Sequence, residues 1–129
     1  MQCYKIATRQ EIAALFERWN NSLKSGDPKK VVANYAEQSI LLPTVSNKPR
    51  LSQSAKEKYF RAFLKNKPTS TIDLSFIELG GNIATDSGVY TFTYNTTGRI
   101  IRARYSFIYR WSGTEWLIAC HHSSAMPEE

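Results

Sequence analysis

The sequence predicts an α+β fold in which helices come first and an antiparallel meander follows, the sheet bending around the long first helix into an open cone. Two observations predict this. Residues 8–67 carry apolar side chains at helical spacing, broken by capping and stop signals. Residues 71–122 alternate between side chains of opposite character, with glycine-containing turns between the runs. No internal repeat, linker or low-complexity segment divides the chain, so residues 1–129 read as one domain.

The first helix opens at Thr8, which has capping-box spacing to Glu11. Ile12, Leu15, Phe16, Trp19 and Leu23 then make one apolar stripe, and Ser25-Gly26 stops it. Asp27 caps a short second helix with Pro28 at its first position, where a missing N–H costs nothing. Ser39 to Leu42 reads as a short strand, and Thr44 to Pro49 as a loop. Ser54 and Glu57 have capping-box spacing for a third helix, with Tyr59, Phe60, Phe63 and Leu64 inward and Pro68 ending it. Four strands follow: Thr71 to Leu79, Ile83 to Tyr94 with a bulge expected at Gly88, Arg99 to Trp111, and Trp116 to His122.

Composition excludes several classes. Hydrophobic content of 42% and charged content of 22% fit a globular chain. No apolar run approaches the roughly 20 residues that span a bilayer. Lys5, Arg9 and Glu11 interrupt any signal-peptide core, so the expected location is cytoplasmic. The net charge is +6, but the basic residues are scattered and only Lys29 and Lys30 are adjacent, so nucleic acid is not an expected partner. Cys3 and Cys120 lack ligand spacing, and a disulfide is not expected. No glycine-rich phosphate loop, HRD or DFG sequence is present, which excludes kinase chemistry for these residues.

The run Arg99 to Trp111 is the most informative. Ile101, Ala103, Tyr105, Phe107, Tyr109 and Trp111 share one face; Arg102, Arg104, Ser106, Ile108 and Arg110 share the other. One reading puts the aromatics inside and the arginines in water. The other puts Arg104 and Ser106 in the cavity and the aromatics in a subunit interface. On the second reading Arg104, central in its strand, would need an internal acid such as Glu78 or a carboxylate-bearing guest. Trp19, Tyr35 and Tyr59 lie on inward stripes and are expected to border the cavity. His121 and His122 point to opposite faces and cannot chelate one metal, so no metal or other cofactor is expected. Acid–base chemistry has candidates in Asp73, Glu78, His121 and His122, with Tyr35, Tyr59 and Tyr105 as donors, but no spacing singles out a pair.

Three stretches carry a family resemblance: Ser25-Gly26-Asp27 to Leu41-Leu42-Pro43, Tyr59-Phe60 to Lys67-Pro68, and Trp116-Leu117-Ile118 to His122-Ser123 and Pro127. In order and spacing they resemble the association domain of calcium/calmodulin-dependent protein kinase II. The ending His121 to Pro127 is similar to small bacterial relatives of that domain. The resemblance implies a cystatin-like, nuclear-transport-factor-like (SnoaL-like) cone that self-associates and holds a small-molecule pocket. It implies a retained histidine at His122, hydrogen-bonded near the strand end. It also implies arginines near Tyr90, Phe107 and Ser123 and a histidine at Lys56, none of which this chain keeps. The expected ligand-binding set is therefore Arg104, Ser106, Tyr35, Tyr59, Trp19 and His122, with no catalytic residue. The rival reading is a cone-fold isomerase or dehydratase acting on a small hydrophobic substrate.

Overall fold

The computed structural model of the chain describes residues 5–44 and 46–127. Cys3 therefore lies outside the described residues. Helix α1 (Arg9–Lys24) is capped by Thr8, whose hydroxyl accepts from the Glu11 N–H, and α2 (Pro28–Val32) is capped by Asp27. Strand β1 (Tyr35–Leu42) follows, then α3 (Gln53–Phe63) with a 3-10 turn (Leu64–Asn66), and then β2 (Pro68–Gly80), β3 (Ile83–Tyr94), β4 (Arg99–Trp111) and β5 (Trp116–Ala125). Among the described residues no helix is long and apolar enough to cross a membrane.

The expected elements all form, with shifted bounds. α3 is capped by Ser52 rather than Ser54: the Ser52 hydroxyl accepts from the Ala55 N–H. β1 begins at Tyr35 because the chain leaves α2 directly into pairing with β5, Tyr35 facing Ile118. Pro68 ends the helical segment and also opens β2, an edge strand, where its missing N–H leaves no ladder partner unsatisfied. The sheet order is β1-β5-β4-β3-β2, with β1 parallel to β5 and the other neighbours antiparallel.

The expected irregularity near Gly88 lies on the partner strand. The β2 register slips between Ile72 and Leu74, which leaves Asp73 as the extra residue. Gly88 permits this: a Cβ built there would stand 1.8 Å from the Leu74 carbonyl oxygen. The absence of a side chain lets the bulged edge strand close onto β3 and bend the sheet.

The bend wraps the sheet around α1. Ile12, Phe16, Trp19 and Leu23 from the helix meet Tyr90, Phe92, Tyr105, Phe107, Tyr109 and Ile118 from the sheet. The aromatics of β4 therefore face inward, and Arg102, Arg104, Ile108 and Arg110 face out. This corrects the reading that placed Arg104 and Ser106 in the cavity and the aromatic face at an interface. Arg104 is exposed, and Ser106 is partly buried on the outer face between Ser87 and His122. The physical reason is a difference in burial cost. Each ring removes roughly 150–250 Å² from water, while an unpaired guanidinium inside would lose its hydration without compensation.

Candidate functional site

The cone encloses a cavity between α1, α3 and the inner sheet face. Trp19, Leu41, Phe60, Phe92 and Ile101 form its apolar sides, and Tyr59, Phe63 and Tyr94 form the wall toward a shallow outer groove that includes Arg50 and Lys58. Thr44, Tyr90, His121 and Ser123 form the polar end. About 30 Å³ is open to the centre of a water-sized sphere, where one water needs roughly 10–15 Å³. The cavity is therefore narrow as it stands, and aromatic side chains fill most of the cone.

His121 is the hub of the polar end. Its ring is fully enclosed, stacked on Phe107 with centroids 4.1 Å apart and set edge-on to Trp19 at 5.4 Å. Burial, with a smaller push from neighbouring His122, lowers its pKa to about 3. The imidazole is therefore neutral near pH 7, with one donor and one acceptor.

The neighbours fix which nitrogen carries the proton. Trp19 Nε1–H can only donate, and it donates to Tyr35 Oη at 3.2 Å. Tyr35 O–H then has His121 Nδ1 as its acceptor at 2.8 Å. His121 Nε2–H donates to Tyr90 Oη at 3.1 Å, and Tyr90 O–H donates onward to Ser123 Oγ at 2.6 Å. The Ser123 and Thr44 hydroxyls are paired, and since Ser123 already accepts from Tyr90, its own proton has Thr44 Oγ1 as its acceptor among the described residues. The opposite tautomer would leave the buried Tyr35 proton without an acceptor. Burial raises the pKa of Tyr35 and Tyr90, which keeps both as neutral donors.

The expected site residues separate into two groups. Trp19 and Tyr59 line the cavity, and Tyr35 sits behind it as a hydrogen-bond partner of His121. Arg104, Ser106 and His122 lie on the outer face. The inward histidine is thus His121, which corrects the placement of His122. The reason is one extra residue in β5: Ile118 faces Tyr109 while Cys120 faces Ile108, so Ala119 has no partner and the alternation flips.

The acids also stand away from the cavity. Asp73 is at the surface, accepting from Thr91 Oγ1 at 2.6 Å and lying 4.0 Å from Arg102. Glu78 is exposed on the same face. The sequence reading missed Asp86, which is fully buried and accepts from Ser75 Oγ at 2.6 Å and Tyr105 Oη at 2.9 Å. It lies toward the N-terminal end of α1, apart from the His121 hub. Its even-numbered spacing from Tyr90 was the available signal. Lys56 also points away, donating to the Ser39 and Leu51 carbonyls and to Gln53 Oε1, while burial lowers its pKa.

The comparisons agree with this architecture. The family model for the calcium/calmodulin dependent protein kinase II association domain matches residues 8–127. A Xanthomonas campestris protein, described as a candidate association domain of that kinase, is 41% identical over 100% of both chains, with a TM-score of 0.91. An NTF2-like protein of unknown function from Pseudomonas putida shares 18% identity over 98% of this chain and 92% of its own, with a TM-score of 0.82. An NTF2-like protein with a cystatin-like fold from Novosphingobium aromaticivorans shares 15% over 94% and 83%, with a TM-score of 0.77. These last two establish the fold alone. No curated protein matches the chain. The cone, its strand order and the match across nearly the whole length lead to one conclusion: the chain belongs to the calcium/calmodulin-dependent protein kinase II association-domain family.

Proposed function

We propose that this chain is a self-associating, non-catalytic association domain whose cone receives a small molecule at the His121 end. One observation carries the reading: the two faces of one sheet are both unfinished. The inner face surrounds a narrow cavity with a polar end. The outer face leaves Leu74 and Phe76 each 62% exposed, with Ile108 further along the same face. Apolar side chains grouped on an open sheet face suit burial against a second copy. The apolar surface offered is that of β2 and Ile108, since the β4 aromatics are used in the core.

The cavity supports a binder over the rival isomerase or dehydratase reading. Such chemistry needs a base inside the cavity. Among the described residues no Asp or Glu lines it, and both His121 nitrogens are engaged by tyrosine hydroxyls. Sedimentation equilibrium tests the assembly: a dimer or larger species at micromolar concentration is expected, and Phe76→Glu should shift it toward monomer. A monomer mass for the unaltered chain across that range would overturn the self-association.

A further inference from the structure

We infer that the cavity selects an uncharged, largely apolar molecule bearing one hydrogen-bond acceptor, such as a ketone or ether oxygen, and takes that oxygen at the Thr44 hydroxyl. This rests on the reading above that the cone is a small-molecule pocket, and it names the class of guest. It replaces the carboxylate expected when Arg104 was placed inside.

The hydrogen-bond chain points to this guest. From Trp19 through Tyr35, His121, Tyr90 and Ser123, each proton is given to the next group. Such a chain has a direction, and its protons run toward Thr44. Every donor in this chain before the end is satisfied, and among the described residues the Thr44 O–H is left to donate elsewhere. Thr44 lines the cavity and also a second surface groove, beside Pro43, Asn47 and His122, so it stands at the cavity wall rather than behind it. What the protein offers at this end is one neutral donor; the other hydroxyl-bearing residues without a partner among the described residues, Tyr59 and Tyr94, stand on the wall toward the Arg50 groove.

The rest of the wall excludes charge. No Lys or Arg lines the cavity among the described residues, and His121 is neutral. The nearest guanidinium, Arg50, stands 5.6 Å from the centre of the Tyr59 ring and belongs to the outer groove. A carboxylate inside would meet aromatic faces and neutral hydroxyls but no cation, far short of what its lost hydration requires. A ketone loses little hydration and regains its one hydrogen bond. Entry of anything larger than a water or two requires the stacked Tyr59–Phe63 pair to move, and both rings are only partly buried.

The test uses the full chain and three probes of similar size: acetophenone, benzoate and ethylbenzene. Affinities are read at pH 7 from backbone amide shift titrations. Acetophenone should bind at least about tenfold more tightly than benzoate, since an unpaired buried charge is the costlier guest. It should bind about fivefold more tightly than ethylbenzene, the worth of one neutral hydrogen bond. Thr44→Val should remove the ketone's advantage over ethylbenzene, and Thr44→Ser should retain it. The inference is overturned if benzoate equals acetophenone, or if Thr44→Val leaves the ketone advantage intact; the pocket reading survives either result. If none of the three probes binds, the pocket reading falls and the inference falls with it.

Discussion

The two faces of β4 are made from alternate residues of one strand, yet they obey different physics. The inner face holds Ala103, Tyr105, Phe107 and Tyr109, all buried, and stacks Phe107 on a neutral histidine. The outer face holds Arg102, Arg104, Ile108 and Arg110, all exposed. Inside, a polar group depends on a protein partner, as Tyr90, Tyr105 and His121 have, while the Tyr109 hydroxyl is buried with none among the described residues. Outside, the exposed guanidinium groups keep their hydration, and substituting one costs little stability. The comparison teaches that the chain's net positive charge says nothing about its cavity, which is aromatic and uncharged.

The largest test of this contrast is acid. His121 has a folded pKa of about 3 against an ordinary value of 6.5. Above pH 6.5 it is neutral in both states and costs nothing. As pH falls from there toward 3, the unfolded chain takes up a proton and the folded chain does not, so stability falls. At 1.36 kcal/mol per pKa unit the loss reaches roughly 4–5 kcal/mol. Urea titrations at pH 7 and at successively lower pH should reveal it, and His121→Gln should flatten the part of the profile that begins near pH 6.5. An unchanged profile in that variant would remove His121 from this role.

Packing comes next. Trp19 is 1% exposed and both packs the cavity wall and starts the hydrogen-bond chain. Trp19→Ala should cost about 3–5 kcal/mol in chemical denaturation. Gly88→Ala should cost about 1–3 kcal/mol, because the new methyl meets the Leu74 backbone and that edge must move. Tyr90→Phe keeps the ring but strips the acceptor from His121 Nε2–H and the donor from Ser123. A loss of about 1–3 kcal/mol is expected, the penalty for buried groups left unsatisfied.

The smallest effect belongs to the outer face. Arg104→Ala should change stability by less than about 0.5 kcal/mol and leave acetophenone affinity unchanged. A larger effect on binding would return Arg104 to the cavity and break the contrast between the faces.

Much of the fold was legible in the chain. Thr8 and Asp27 as caps, the α1 stripe, and the bounds of β3 and β4 follow from local rules that the structure keeps. The start of α3 was not, because Ser52 and Ser54 are both good caps and only the approach of the chain chooses between them. Trp19 and Tyr59 could be placed at the cavity from helical spacing alone. Thr44 and Ser123 could not, since they lie far apart in sequence and meet only when β1 pairs parallel with β5.

By itself, then, the sequence determined which residues form helices and strands, and that β4 has one aromatic and one arginine face. It could not say which face is inside, because alternation is symmetric under exchange of faces. Only the sheet's bend around α1 broke that symmetry, putting the rings against Phe16 and Trp19 and the guanidinium groups in water. The same holds for the histidines. Period-two counting from buried Ile118 puts His122 inside. The unpaired Ala119, visible only once β4 and β5 are in register, puts His121 there instead.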